Sequence, residues 1–172
     1  MGYTTYFNGE FDVTPTLSEE HRTYLDKFAG TRRVRRHADH TALRPDPIRE
    51  AVGLPIGEEA EYFVGEGGYR GQGQDDPPYI LDNNRPPASQ PELWCQWIPA
   101  EDGKSILWDG GEKFYEFQEW IQYLVHHFLA KWGYTLNGTV YWEGEEWSDQ
   151  GRIVITDNEI DIQVATVTVE YQ

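Results

Sequence analysis

The sequence predicts an α+β fold: a mostly antiparallel sheet with two helices on one face, arranged as a ferredoxin-like plait with a long irregular insertion and extra C-terminal strands. Three observations lead there. The elements run strand, helix, elaboration, strand, strand, helix, strand. One segment, Glu112 to Trp132, steps its apolar residues by three and four, the period of a helix with one buried face. The residues after it are aromatic and β-branched in alternation, as strands are.

Taken in order, Tyr3 to Val13 alternates as a strand that Pro15 closes. Thr16 and Glu19 have the spacing of a capping box, and Ser18 is a second candidate N-cap. Leu17, Tyr24, Leu25 and Phe28 then share a helix face, and Gly30 can end it. Residues 31–92 read as an irregular elaboration of a single domain spanning 1–172, because neither flank looks able to stand alone. Leu93 to Ile98 reads as a buried strand, Glu101-Asp102-Gly103 as a turn, and Lys104 to Trp108 as the returning strand.

Asp109-Gly110-Gly111 breaks the chain before the long helix. There Phe114, Phe117, Ile121, Leu124, Phe128 and Trp132 should face the core, with Glu119, Gln122 and His126 in solvent. Acids load its first turns and His126, His127 and Lys131 its last, which suits the helix dipole; Gly133 is a natural stop. Asn137-Gly138 is the strongest hairpin signal, joining Tyr134–Leu136 to Thr139–Glu143. Arg152 to Thr156 is another strand, Asp157-Asn158 a turn, and Glu159 to Tyr171 a long last strand. Its apolar phase slips, which predicts a bulge near Ala165-Thr166.

Composition narrows the class. Seven Trp, eleven Tyr and seven Phe can supply a core, since each large aromatic buries on the order of 150–250 Å². The lone Cys95 leaves no partner for an intrachain disulfide or a multi-cysteine zinc site, and reads as a buried core thiol. The first residues lack the basic and apolar blocks of a signal peptide, and no run approaches the ~20 apolar residues of a membrane helix. A cytoplasmic protein with no membrane contact is the expectation.

Net charge is -16. It is segregated: acids and bases balance over residues 1–50, whereas the last 72 residues are strongly acidic. Such a chain repels phosphate backbones, so nucleic acid is not an expected partner. Arg32, Arg33, Arg35 and Arg36 form one basic run, read as neutralising the protein's own acidic surface.

No motif supplies catalysis. The run Gly65, Gly67, Gly68, Gly71 and Gly73 lacks both the Gly-Lys-Ser/Thr of a P-loop and the dinucleotide frame, so it reads as a flexible loop. His37, Asp39 and His40 have metal-ligand spacing but sit among arginines, and His126-His127 cannot share one helix face; no metal or other cofactor is expected. Asp109 and Glu112 fit helix-start energetics better than an acid/base pair. What is left is the tryptophan set. Trp94 and Trp97 alternate to opposite faces of one strand, and two helices cannot cover both faces of a sheet. One face should therefore be incompletely covered.

The segments Arg49–Pro55, Asn84-Arg85-Pro86-Pro87, Leu93–Trp97, Trp108–Tyr115 and Trp132-Gly133-Tyr134 resemble a family of small bacterial and phage proteins without an established activity. The resemblance implies that the irregular middle belongs to the domain; it implies nothing catalytic.

Small size, acidity, an aromatic surplus and the lack of a catalytic set point to an interaction protein that binds and neutralises a macromolecular partner, an immunity-type or anti-defence-type inhibitor, rather than to an enzyme. A basic protein would engage Trp142, Glu143, Glu145, Glu146, Trp147 and Asp149. The rival is a small-molecule or nucleotide binder, or an enzyme, with an aromatic pocket formed by Arg85, Trp94, Trp97, Trp108, Asp109 and Glu112. A deep aromatic cavity favours the rival; an open, acidic, aromatic-studded face favours the inhibitor.

Overall fold

The computed structural model describes residues 2–65 and 78–172. Among these, β1 (Thr5–Thr14), α1 (Glu19–Ala29), β2 (Arg35–Arg36), α2 (Ala38–Thr41), α3 (Pro47–Ala51), β3 (Ile80–Asp82), β4 (Trp97–Pro99), β5 (Ser105–Trp108), α4 (Phe117–Leu124), β6 (Thr135–Gly144), β7 (Gln150–Thr156) and β8 (Glu159–Val164) follow in chain order. The fold is α+β. Its main sheet has the order β4-β5-β1-β6-β7-β8 with every neighbouring pair antiparallel, and β2 and β3 form a separate two-stranded ribbon. Gly67, Gly68, Gly71 and Gly73 of the glycine-rich run lie outside the described residues, as does Pro77.

Alternation puts one side of each long strand into the core. Phe11 and Val13 of β1, Leu136, Val140 and Trp142 of β6, and Ile153 and Ile155 of β7 are buried, and they meet Tyr24, Leu25 and Phe28 of α1 and Trp120, Ile121 and Leu124 of α4. Each large side chain so buried contributes roughly 1.5–3 kcal/mol before chain entropy is counted. The opposite side of β1 carries Tyr6, Asn8, Glu10 and Asp12, all exposed. The helices thus cover one face of the sheet, and the other is open.

Ser18 is the N-cap of α1, its hydroxyl accepting the His21 N–H at 3.2 Å. Asp157 and Asn158 form the turn between β7 and β8, both with positive φ (47° and 69°), as a two-residue hairpin loop requires.

Asn137-Gly138 is not a hairpin. It lies inside β6, whose ten residues pair with β1 from Thr14↔Thr135 to Thr5↔Gly144 without a break. The glycine answers a close approach rather than a turn. A Cβ at Gly138 would stand 2.7 Å from the Glu10 carbonyl oxygen and 3.2 Å from Phe11 Cα, and its φ is +144°. Asn137 serves the β7–β8 turn instead, its side-chain oxygen accepting the Asp157 N–H at 2.8 Å.

The second helix is shorter than its periodicity predicts. Lys113 and Glu116 have φ of 59° and 55°, so the chain becomes helical only at Phe117. Phe114 still enters the core, from the loop. At Val125–Leu129 the helix widens into a π turn closed by Ala130 N–H to the Val125 carbonyl. Val125, Phe128 and Leu129 are all buried there; Glu119 and His126 are exposed as expected, and Gln122 is half-buried.

Two strands are also shorter. Leu93 to Gln96 stays irregular because the Leu93 carbonyl turns away to accept the Arg33 N–H at 2.8 Å, leaving Trp97–Pro99 as β4. β8 stops at Val164, and no bulge forms at Ala165-Thr166. The last ladder bond, Ala165 N–H to the Gln150 carbonyl, reaches the first residue of β7, so the partner strand has run out.

The arginine run is not a surface patch. Arg33 and Arg36 are fully buried and Arg32 nearly so. Arg33 donates to the carbonyls of Glu61 (2.6 Å) and Phe63 (2.9 Å) and to the Gln90 side chain, and lies 4.1 Å over the Phe28 ring. Arg36 donates to the Arg32 and Val34 carbonyls, and Arg35 pairs with Glu59. These guanidinium groups cross-link the elaboration internally, through carbonyls that have no strand or helix of their own to satisfy them, and Arg33 also rests on α1 through the Phe28 ring.

Candidate functional site: the open face of the sheet

Side chains that alternate away from the helices form the open face. Tyr6, Asn8, Glu10 and Asp12 come from β1; Thr139, Tyr141 and Glu143 from β6; Gln150, Arg152, Val154 and Thr156 from β7; Glu159, Asp161 and Gln163 from β8. Glu10, Asp12, Glu143, Glu159 and Asp161 stand against Arg152 as the one cation of these four strand faces. Tyr6 is 61% exposed and Tyr141 52%, the largest apolar groups on this side.

Register assembles a local site at one end of the face. Tyr6 lies opposite Glu143, Asn8 opposite Tyr141, and Glu143 opposite Gln150. Tyr141 lies opposite Arg152, and Arg152 opposite Gln163. Arg152 donates through Nε to the Gln163 side-chain oxygen, and Gln163 Nε2 donates to Asp161 at 2.7 Å. Over these residues opens a hollow of about 510 Å³, lined by Tyr6, Asn8, Tyr141, Glu143, Gln150, Arg152 and Gln163, with Phe7, Trp142 and Gly151 also bordering it. It offers two aromatic faces, three amides, a carboxylate and a guanidinium.

The acidic patch expected around Trp142 and Trp147 borders this hollow, on the β6–β7 connection. Trp142 is not a surface anchor: its ring is buried at 4% exposure in the helix-side core, and its Nε1 donates to Asp149 at 3.1 Å. Asp149 also accepts the Tyr3 hydroxyl at 2.7 Å, so that carboxylate is engaged within the fold. The Glu145 carboxylate accepts the Thr4 N–H at 2.6 Å, and the Tyr3 hydroxyl accepts the Glu146 N–H at 3.1 Å. Trp147 is 58% exposed, and Glu143, Glu145 and Glu146 are exposed beside it.

The six residues of the aromatic-pocket reading lie in different settings. Trp97 is a core side chain with Nε1 donating to the Phe117 carbonyl at 2.9 Å. Trp108 Nε1 reaches the Gln96 side chain (3.2 Å) and the Gly111 carbonyl (3.1 Å). Phe7 fills the space between them, its ring 5.2 Å from Trp97 and 5.3 Å from Trp108. The Asp109 carboxylate accepts the Gly111 N–H at 2.7 Å; partial desolvation raises its pKa, and that hydrogen bond opposes the rise. Exposed Glu112 is held through its carbonyl by Gln96 Nε2, and Trp94 is half-buried. Arg85 follows β3 in a loop, exposed, with its carbonyl accepting the Arg35 N–H.

Cys95 is buried, and desolvation pushes its thiol up to about 12, which leaves it protonated and poorly nucleophilic. His127 stacks on Tyr123 at 3.9 Å and lies 2.8 Å from the Tyr62 hydroxyl through Nδ1; desolvation lowers its pKa. Among the described residues, no three His, Cys, Asp or Glu side chains come together as a metal site, and no helix is long and apolar enough to cross a membrane.

Tyr6, Asn8, Tyr141, Arg152 and Gln163 were not singled out by sequence reasoning, although the signal was present: Tyr6, Asn8, Glu10 and Asp12 occupy one phase of β1 and Phe7, Phe11 and Val13 the other. Comparison of the chain with protein-family models, with curated proteins and with solved structures gave no match.

Proposed function

We propose that this chain is an acidic interaction protein that binds and neutralises a basic macromolecular partner, an inhibitor of the immunity or anti-defence type, with the open sheet face as its contact surface. The observation that carries the reading is that open face, with five carboxylates to one guanidinium and two exposed tyrosines. Its field would speed encounter with a basic surface, while Tyr6, Tyr141 and neighbouring Trp147 would slow release. The same reading keeps the protein in the cytoplasm and away from nucleic acid, and takes residues 1–172 as one domain with 31–92 as its elaboration.

The finer architecture belongs to this proposal. β1-α1-β4-β5-α4-β6 with the order β4-β5-β1-β6 is read as a ferredoxin-like plait, extended by β7 and β8. Its support is the pair of helical crossovers, each of which skips one strand: α1 passes over β5 and α4 over β1. In that arrangement both helices lie on one side, which is why the other is free.

The test is affinity capture from lysate with the wild-type chain and with Glu10→Lys, Asp12→Lys and Glu143→Lys combined, at about 50 and 500 mM salt. A basic protein retained by the wild type at low salt and lost from the variant is expected. Equal retention by both would sink the reading. The hollow over Tyr6, Tyr141 and Arg152 supports one rival, a small-molecule binder, because its volume falls among those of ligand pockets. A metabolite released from the purified protein and detected by mass spectrometry would favour that rival.

A further inference from the structure

The two edges of the main sheet differ. β4 offers three residues and ends in Pro99, which has no N–H to donate. β8 offers six residues and no proline. Ladder bonds identify what is free along it. Ala165 N–H bonds to the Gln150 carbonyl, and bonded pairs in an antiparallel ladder recur every second residue, so Glu159, Asp161 and Gln163 turn their backbone groups to β7. Ile160, Ile162 and Val164 turn theirs to the open edge. These three also place their side chains on the helix side of the sheet, where Val164 is 73% exposed and Ile160 and Ile162 are only half-buried. On the other side the edge carries Glu159 and Asp161.

We propose that β8 is the docking edge for an extended segment of the basic partner, one that alternates basic and apolar residues and adds to the sheet as its next strand. This rests on the reading of the chain as an acidic interaction protein. Residues across an added ladder point to the same face. Apolar partner residues therefore meet Ile160, Ile162 and Val164, and lysine or arginine meets Glu159 and Asp161. Main-chain hydrogen bonds supply binding, and the alternation sets the register. A second copy of this chain is the competing occupant, and charge opposes it: two chains of net -16 would meet through acidic edges.

The experiment follows amide hydrogen exchange by NMR in the full chain with three eight-residue peptides: alternating Lys and Val, the block isomer with four Lys then four Val, and alternating Glu and Val. The alternating basic peptide should bind saturably and slow exchange at the amides of Ile160, Ile162 and Val164 by about tenfold or more, with β4 unaffected. Val164→Pro removes an edge N–H without touching the β7 ladder, and should weaken that binding about tenfold, as should Glu159→Lys with Asp161→Lys in a chain that keeps its β7 protection. If the block isomer binds as well and no edge amide is protected, edge docking is overturned while the acidic-face reading stands. If neither basic peptide binds in a salt-dependent way, the acidic-face reading fails and this proposal with it. Edge protection that grows with protein concentration in the absence of peptide assigns the edge to a second copy and overturns the proposal.

Discussion

Among the described residues no carboxylate bonds to Arg33; three oxygens, two of them backbone carbonyls from the Glu61–Phe63 turn, accept from its guanidinium. Its positive charge is not what the site uses most: a planar fork that satisfies several acceptors at once is. Arg33→Met leaves those acceptors buried and unpaired and should cost about 2–4 kcal/mol in urea denaturation. Arg33→Lys should recover little, because one ammonium cannot reach the same set. Sequence could show the charge of this run but not where main-chain carbonyls converge, so the arginines read as surface. His21 and His127 carry a second residue-scale prediction. Desolvation lowers both pKa values, against the pull of Glu20 and Glu61. The folded values lie below the unfolded 6.5, so the unfolded chain takes up protons first. Their contribution is whole above about pH 7 and is lost as pH falls through the folded values. The urea midpoint should drop between about pH 7.5 and 5.5, and the slope should shrink in His127→Gln.

At the scale of the element, Gly138 is the sharpest test of β6. Alanine there meets backbone atoms of β1 in an unfavourable φ, and Gly138→Ala should destabilise by about 3 kcal/mol. The Asn-Gly pair misled because hairpin chemistry and close strand approach select the same glycine. The correct reading was available in the phase of Leu136, Val140 and Trp142, which runs through Gly138 unbroken and buries one side of a single strand. Helix α4 was legible in its inward residues, and Leu124→Ala should cost about 2–5 kcal/mol in the same assay. Its start was not, because the period continues through Phe114 although Lys113 and Glu116 adopt left-handed backbone that no pattern of apolar residues encodes.

For the molecule as a whole, the uncovered side of the sheet was legible from counting helices, whereas the residues that matter on it were not. Tryptophan drew attention because it is large, yet Trp97 and Trp142 went to the core and smaller tyrosines face solvent. Charge asymmetry along the chain did become asymmetry in space, since β6 and β8 bring Glu143, Glu159 and Asp161 to the side where β1 already places Glu10 and Asp12. With Arg32, Arg33 and Arg36 buried, the basic run cannot offset that field toward polyanions. Duplex DNA should show no binding in a fluorescence anisotropy titration at physiological salt. Salt-sensitive, sub-micromolar binding there would contradict the assignment of these arginines to the interior.

β1 holds the middle of the sheet, between β5 and β6, and every residue of its ten finds its β6 partner more than about a hundred positions later in the chain. A growing polypeptide therefore carries its central strand unpaired through most of synthesis, with Phe7, Phe11 and Val13 waiting for a surface that does not yet exist. Such a chain should fold late and in one concerted step rather than segment by segment. Ribosome-bound fragments that stop before Thr135 should be cleaved by protease throughout β1, and those that extend past Thr156 should resist it.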